Sequence, residues 1–219
     1  MVEGKEPPWG AIYALPEKES QVVREYLETM LKSGKIRPSM SPAGAPILYV
    51  LKDQVHGLHL CVDYRGLNKV TILNCYPLPL MNELRARVRD AKIFTKLDLK
   101  AGYNLIRIKE GDKWKTAFCS RYGHDEYSVM PFVLANAPAT FQNMMHEIFK
   151  DFIDHEVVIY LDDKLIYSRS EEDHIALLKQ VFECLQEYQL ALSLEKCKWH
   201  MFTVSFLGYI ISENGIEMD

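Results

Sequence analysis

Apolar residues recur along this chain with two periods, one typical of helices and the other typical of strands. Segments in which they return every three or four positions predict helices over 17–33, 139–155 and 171–188. Gly34 follows the first segment, where a glycine commonly ends a helix, and Ser170 with Asp173 predicts a capping box at the start of the last. Sequence signals therefore mark two helix boundaries in addition to the periodicity.

The spacing of these apolar residues also predicts which face of each helix is buried. The predicted stripes are Val23, Leu27, Met30 and Leu31 in the first helix, Phe141, Met145, Ile148, Phe149 and Phe152 in the second, and Ile175, Leu178, Phe182 and Leu185 in the third. Such stripes are typical of core packing, and we expect them to fill a core rather than to line a cofactor site.

Short runs rich in β-branched and aromatic residues predict strands between the helices. The predicted strands cover 46–52, 58–64, 93–98, 104–109, 115–119, 126–130 and 204–212, with a hairpin over 156–168 and a short helix near 81–89. Because strands and helices do not alternate with a regular βαβ rhythm, the pattern predicts an α+β fold with a largely antiparallel sheet.

Composition and charge narrow the class of protein. With 219 residues, 48% of them hydrophobic, the chain can fill the core of one large domain or of two closely packed subdomains. Its five cysteines form no C-x-x-C pair, which predicts reduced thiols in an intracellular compartment. No apolar stretch approaches the roughly 18 residues of a membrane span, so we expect no membrane partner. A net charge of −4 argues against a free-standing nucleic-acid binder.

Three carboxylates stand at the ends of predicted strands. Asp162 and Asp163 lie between the two apolar runs of the 156–168 hairpin, and Asp98 ends an earlier strand. Adjacent carboxylates repel each other and are typical of sites where a cation neutralises them, so a divalent-metal site is one hypothesis. The alternatives are that the Asp-Asp pair is a hairpin turn and that Asp98 is a strand-end cap or a salt-bridge partner. The basic residues between Arg85 and Lys100 also have two interpretations, a stripe beside the acids or a solvated helix face.

Several sequence blocks occur in an order that is far more specific than the Asp-Asp pair alone. They are Arg37–Ser39, Ser41–Pro46, Cys61–Asn68, Tyr76–Leu80, Phe94–Leu99 with Gly102 and Tyr103, Met130–Phe132, Asn136–Gln142, Tyr160–Asp163 and Phe206–Ile211. From about Pro7 to Asp219 the chain resembles the reverse transcriptases of gypsy-type long-terminal-repeat retrotransposons. The resemblance implies a right-hand polymerase fold.

The resemblance also implies a division of the chain into subdomains. The fingers would comprise 1–74 and 106–137, and the palm would comprise 75–105 and 138–219 with a primer-grip hairpin. The chain would stop where the thumb of such a polymerase begins. We therefore expect the thumb, ribonuclease H and integrase of a longer polyprotein to lie outside it.

By resemblance, the catalytic residues are Asp98, Asp162 and Asp163. These three carboxylates, with the backbone carbonyl of Leu99, would hold two Mg²⁺ ions, and Mn²⁺ would be a possible substitute. In such a site the primer 3′-hydroxyl attacks the α-phosphorus of a deoxynucleoside triphosphate, and metal ions activate the hydroxyl and stabilise the leaving pyrophosphate. The acids would lie on the ends of a rigid sheet and need little reorganisation.

The same resemblance assigns contacts to the substrates. Nucleotide-binding residues would be Lys52, His59, Tyr103 and Phe132, with Tyr103 as the gate that excludes a 2′-hydroxyl. Contacts to an RNA or DNA template and its primer would come from Pro138, Gln142, Phe206, Leu207, Gly208 and Tyr209. For Tyr103 the alternative is a buried packing tyrosine, and for Lys52 it is an exposed lysine at a strand end.

Several residues depart from the pattern of that family. His59 stands where an arginine usually cradles the triphosphate, and Val133 replaces a glycine, which predicts weakened nucleotide binding. Lys164 replaces an apolar residue directly after the two aspartates, so it is either buried at a cost or bonded to one of them. Cys75, Asp125 and Ser128 depart as well.

Two functions follow from this pattern. The first is an RNA-directed DNA polymerase of a retrotransposon polyprotein, acting in a cytoplasmic particle or in the nucleus. The second is a degenerate or host-captured polymerase fold that serves as a nucleic-acid or protein interaction module. The three acids and Tyr103 favour the first, whereas His59, Val133 and Lys164 favour the second.

Overall fold

The computed structural model describes residues 1–14, 16–51, 58–79, 86–153 and 156–218, with only the backbone described for 17, 18, 51, 58 and 59. The chain separates into two compact units. The first unit comprises Met1–Asn74 and Tyr103–Ala137, and the second comprises Cys75–Gly102 and Pro138–Asp219. That these units are the fingers and the palm stays a prediction.

Helices and strands are interleaved along the chain. In chain order they are α1 (Glu17–Lys32), β1 (Ile36–Pro38), β2 (Ala45–Leu51), β3 (Leu58–Val62), α2 (Arg65–Lys69), β4 (Ile93–Asp98), β5 (Ala117–Ser120), β6 (Gly123–Tyr127), α3 (Ala137–Ile148), β7 (Val157–Tyr160), β8 (Asp163–Ser168), α4 (Glu171–Glu187), β9 (Lys198–Met201), β10 (Thr203–Phe206), β11 (Tyr209–Ser212) and β12 (Gly215–Met218). Two 3₁₀ segments, Gly102–Leu105 and Glu110–Thr116, connect some of them. No helix in the described ranges is long and apolar enough to span a bilayer.

The first unit is built on a five-stranded sheet in the order β1-β6-β5-β2-β3. Its neighbouring strands are antiparallel except for β2 and β5, which are parallel. Val23, Leu27 and Met30 of α1 are buried in one cluster with residues of the sheet, including Ile47 and Phe118. The apolar stripe predicted for α1 therefore packs as expected, except that Leu31, next to the last helical residue, is exposed.

The second unit contains two antiparallel sheets. One has the order β7-β8-β4-β9, and the other has the order β10-β11-β12. Phe94, Leu165 and Phe206 lie in the same buried cluster, which joins the two sheets. The largely antiparallel character predicted from the sequence is confirmed.

Two of the predicted strands are wrong. Within 104–109, residues up to Leu105 belong to a 3₁₀ helix, and pairing is limited to a single bridge between Arg107 and Val129. The predicted strand 204–212 is instead the β10–β11 hairpin, because the chain turns at Leu207 and Gly208, whose φ angles are 53° and 77°. Two successive residues with positive φ are typical of a type I′ turn, which closes a tight hairpin.

The predicted cap of α4 is confirmed at Ser170, whose hydroxyl also donates to the Asp173 carboxylate at 2.6 Å, but the predicted buried face is right only at Leu185. Ser170 caps the helix by accepting a hydrogen bond from the Asp173 N–H at 3.2 Å. The buried positions are His174, Leu177, Val181 and Leu185, whereas Ile175 and Phe182 of the predicted stripe are exposed. The helix is rotated because its first turn buries a polar residue, His174, which an apolar pattern does not identify.

His174 joins α4 to two strands of the neighbouring sheet. Its Nδ1 lies 2.7 Å from Ser168 Oγ at the end of β8, and its Nε2 lies 2.8 Å from Thr95 Oγ1 on β4. The imidazole is fully buried, and burial lowers the pKa of His174 to about 4. A buried neutral histidine therefore holds α4 against the strands that carry the acids.

This histidine predicts a loss of stability in mild acid. The unfolded chain binds a proton on His174 near its ordinary pKa of 6.5 and the folded chain does not, so stability falls as the pH drops from about 6.5 to about 4. Between pH 7.5 and pH 5 we expect this group to cost about 2 kcal/mol of unfolding free energy. Urea unfolding of wild type and His174→Gln at both pH values measures it. An equal pH dependence in the two proteins would contradict the assignment.

Candidate active site

Strands β4 and β8 bring two of the predicted acids together. Asp98 and Asp163 are direct partners at the end of this antiparallel pair. Residues directly opposite each other in such a pair project from the same face, so both carboxylates lie on one face at one end of the sheet. The Asp98 backbone is also held on its other side, because its carbonyl accepts a hydrogen bond from the Ser193 N–H at 2.9 Å.

Asp162 lies in the turn that connects β7 to β8. Tyr160 and Asp163 are partners across the hairpin, so Leu161 and Asp162 form a two-residue turn. Leu161 has a φ of 50°, in the left-handed region that non-glycine residues rarely adopt. Burial raises the pKa of Asp162, and the carboxylates of Asp98 and Asp163 raise it further, while Lys164 opposes the shift. The three acids thus share one electrostatic environment.

Two lysines pair with the acids on the strands. Lys96 Nζ lies 2.7 Å from Asp163 Oδ1, and Lys196 Nζ lies 3.8 Å from Asp98 Oδ1. Lys96 precedes Asp98 by two positions on β4, so the two side chains project from the same face of the strand. The site as it stands is an acidic cluster neutralised by ammonium groups.

A third lysine, Lys164, is buried beneath the same site. Its side chain is 2% exposed, and its Nζ donates a hydrogen bond to the backbone carbonyl of Asp162 at 2.9 Å. The ammonium also lies 5.1 Å from the centroid of the Phe141 ring. Burial lowers the pKa of Lys164 to about 8. Both alternatives considered for this residue are therefore partly observed, because Lys164 is buried at a cost and bonds to the backbone of Asp162.

The acids have the right chemistry for Mg²⁺ but are not gathered into a ready ligand set. In the described ranges, no three His, Cys, Asp or Glu side chains form a group that could hold a metal ion as they stand. The donors are carboxylate oxygens on strand ends, the type that Mg²⁺ prefers. Lys96 contacts Asp163, so a divalent cation bound at that oxygen would have to replace the ammonium. The residues fit the metal, provided that this ion pair opens.

The sequence predicted that Gln142 contacts the template, but its side chain is fully buried. Its Oε1 accepts a hydrogen bond from the Leu161 N–H at 2.7 Å, and its Nε2 donates to the Ile159 carbonyl at 3.1 Å. Both partners belong to the hairpin that carries Asp162. This side chain therefore bonds to the backbone of the hairpin next to Asp162.

The predicted primer-grip residues divide between core and turn. Phe206 is fully buried, so its side chain packs in the core and does not offer a surface to a primer. Leu207 and Gly208 form the turn of the β10–β11 hairpin, and Tyr209 begins β11 and is half-buried. Pro138 lies in the first turn of α3 and is half-buried.

The predicted nucleotide-binding residues that the structure describes belong to the first unit. Tyr103 lies in the 3₁₀ helix Gly102–Leu105 and is half-buried, and Phe132 is exposed. Lys52 lies outside the described residues, and only the backbone of His59, in β3, is described. Their roles stay predictions. Val133 packs against the core of this unit, and its carbonyl accepts a hydrogen bond from Asn68 at 3.0 Å.

Lys96 was among the basic residues that the sequence set in a possible stripe beside the acids, and its contact with Asp163 places it there. Sequence reasoning missed other residues that shape the site. His146, which contacts Gln142, follows it by four positions on α3 and was identifiable from helical spacing. Lys196 carries no local signal, because it reaches Asp98 only through the path of the chain between α4 and β9.

Comparison with known proteins identifies the family. Residues 52–211 match the family described as reverse transcriptase (RNA-dependent DNA polymerase). The transposon Tf2-3 and Tf2-4 polyproteins of Schizosaccharomyces pombe (strain 972) are each 41% identical to this chain over 203 residues. The match covers 93% of this chain and 15% of each polyprotein, so the chain corresponds to a small part of those relatives.

Solved structures show the same fold. The foamy viral protease-reverse transcriptase in complex with an RNA/DNA hybrid matches with a TM-score of 0.89 and 23% identity, over 99% of this chain and 29% of that one. A second foamy viral structure, in complex with double-stranded DNA, also has a TM-score of 0.89 and 23% identity, over 98% of this chain and 38% of that one. The predicted right-hand polymerase fold is confirmed. The sequence matches place the chain in the reverse transcriptase family, among the reverse transcriptases of gypsy-type long-terminal-repeat retrotransposons.

Proposed function

We propose that this chain catalyses RNA-directed DNA synthesis, in which a primer 3′-hydroxyl attacks a deoxynucleoside triphosphate and pyrophosphate leaves. The observation that carries the proposal is the register of β4 and β8, which pairs Asp98 with Asp163 and places Asp162 in the adjoining turn. Reverse transcriptases are nucleotidyltransferases that generally use divalent metal ions. The finer proposal for this chain is a pair of Mg²⁺ ions.

Each acid has a distinct structural basis for holding such a cation. Asp98 and Asp163 are fixed by the strand pair, and Asp162 is fixed by its hairpin turn. When bound, Mg²⁺ would lower the pKa of the attacking hydroxyl and stabilise the charge on the leaving pyrophosphate. The Leu99 carbonyl, one residue beyond β4, would complete the oxygen donors. Lys96 would leave Asp163 as the cation binds and would remain a positive charge at the edge of the site.

Template and primer are proposed from the relatives. The foamy viral structures contain a reverse transcriptase with an RNA/DNA hybrid or with double-stranded DNA, which supports the same class of partner here. The curated relatives are polyproteins, so we also propose that this chain works beside other Pol domains. Tyr103 would exclude ribonucleotides, and Phe132 would line the nucleotide pocket.

Primer extension tests the proposal. A labelled DNA primer on an RNA template should be extended by the chain with deoxynucleotides and Mg²⁺, and extension should stop when EDTA removes the metal. Ribonucleotides should be incorporated at least about 10²-fold less efficiently, because a tyrosine gate acts by a steric clash. Failure to extend with either Mg²⁺ or Mn²⁺ would contradict the proposal and would favour a fold kept without catalysis.

A further inference from the structure

We propose that Gln142 is a positioning residue for catalysis, which holds Leu161 in its left-handed conformation and thereby sets the place of Asp162. The inference rests on the proposed function, since it concerns the turn that carries a catalytic acid. Gln142 belongs to α3 and Asp162 to the β7–β8 turn, so the two come together only in the fold.

The contacts of Gln142 enclose the start of the turn. Its Oε1 accepts from the Leu161 N–H at 2.7 Å, and its Nε2 donates to the Ile159 carbonyl at 3.1 Å. The two bonded groups stand on either side of Tyr160, so one side chain bridges the last residues of β7 and the first residue of the turn. Because the Gln142 side chain is fully buried, we expect that water cannot replace it as the partner in these hydrogen bonds.

The conformation of Leu161 needs such a support. Its φ of 50° brings the Cβ of an L-residue close to the following carbonyl, so a leucine persists there only where surrounding contacts over-determine it. Gly102 adjoins the same turn: a Cβ built on it would lie 3.0 Å from the Phe141 ring and 3.4 Å from Asp162 Oδ1, so the region has little free space. Asp162 immediately follows the strained residue, and a change in the Leu161 backbone would move its carboxylate.

The orientation of the Gln142 amide is itself determined. Gln142 Nε2 lies 2.6 Å from His146 Nε2, and His146 Nδ1 lies 3.0 Å from the Tyr76 hydroxyl. An amide nitrogen only donates, so His146 Nε2 must accept and the imidazole proton must lie on Nδ1, toward Tyr76. With both donors used by His146 and Ile159, the amide oxygen points to Leu161. The Tyr76–His146 pair therefore positions Gln142, and Gln142 positions the turn.

Filling the buried space does not by itself require a glutamine at position 142. A methionine has a similar length and could fill the same space on α3. It would leave the Leu161 N–H and the Ile159 carbonyl without their present partner, and such unmet groups are costly when water is excluded. The polar side chain thus contributes to the geometry of the turn as well as to the core.

Gln142→Met tests the proposal with two independent readouts. We expect kcat for nucleotide incorporation to fall about 30-fold while KM for the nucleotide changes by less than about twofold, because an acid is misplaced while the nucleotide pocket is intact. We also expect amide hydrogen exchange at Leu161 to accelerate at least about 10-fold, since its bonded acceptor is lost. Met145→Ala, at a fully buried position of the same helix, is the matched control and should leave kcat unchanged well below its Tm.

A double-variant cycle separates positioning from packing. Glycine adopts a positive φ without strain, so in a Leu161→Gly background the loss of Gln142 should lower kcat by less than about threefold. An equal loss in both backgrounds, or an equal loss in Met145→Ala, would overturn the proposal.

Hydrogen exchange in the wild type tests the positioning role of Gln142 separately from the proposed function and from any misfolding of a variant. In the wild type, the Leu161 amide should be protected from exchange as strongly as the paired amides of β7 and β8, and this needs neither activity nor a variant. An unprotected Leu161 amide would overturn the inference even in an active polymerase. A protected amide in a chain that incorporates no nucleotide would instead count against the proposed function alone.

Discussion

Asp162→Asn is expected to lower nucleotide incorporation by at least about 10³-fold, because a cation-binding site that loses one of three carboxylates loses several kcal/mol of charge stabilisation. The variant should fold. Asparagine has nearly the same shape, and it removes a charge that burial and the acids at 98 and 163 disfavour. Single-turnover incorporation on a primed RNA template, with saturating deoxynucleotide and Mg²⁺, measures the loss.

An acid elsewhere in the same unit provides the control. Glu187 is exposed at the end of α4, so Glu187→Gln makes the same chemical change and should leave the rate within about twofold. If Asp162→Asn retained the wild-type rate, the activity could not be attributed to this site. Equal losses in both variants would point to a general effect of charge on nucleic-acid binding.

Lys164→Met is expected to raise the free energy of unfolding by about 2 kcal/mol at pH 7. Burial lowers the pKa of Lys164 from 10.5 to about 8, a shift that corresponds to about 3 kcal/mol of cost for burying the ammonium. The lost hydrogen bond to the Asp162 carbonyl and the contact with Phe141 offset part of that gain. Urea unfolding of the two proteins measures the difference.

The pH dependence of that difference gives a second check. The folded state releases the Lys164 proton near pH 8 and the unfolded state near pH 10.5, so the burial cost is fully present below pH 8. Wild type should therefore gain stability relative to the variant as the pH rises through this window. Lys179→Met, an exposed lysine on α4, is the matched control and should change stability by less than about 0.5 kcal/mol. A Lys164→Met protein that was less stable at every pH would show that the ammonium is a net stabilising group.

The buried lysine also bears on the departures from the family pattern. Lys164 supplies a fixed positive charge whose field acts on Asp98, Asp162 and Asp163. A charge of this sign opposes cation binding at the acids, so we expect it to weaken the binding of a divalent metal ion there. The comparisons show the family of the chain, and they do not favour a captured interaction module over a polymerase.

Local sequence is enough to place much of this molecule. Strand periodicity and turn chemistry act over a few residues, and they put Asp98 at the end of β4 and the Asp162–Asp163 pair at the β7–β8 hairpin. The helix cap at Ser170 is local for the same reason, since both partners lie within one helical turn. The order of the motifs added the family, which no single motif could specify.

Contacts between distant segments decided the rest. The register that pairs Asp98 with Asp163, the lysines that neutralise them and the inward direction of Gln142 depend on which strands and helices meet. The rotation of α4 depends on a buried hydrogen-bonded histidine, which hydrophobic periodicity cannot reveal. Burial sets the pKa of a side chain and the partners it can bond, and burial is a property of the packed chain, so the chemistry of the site appears only in the tertiary structure.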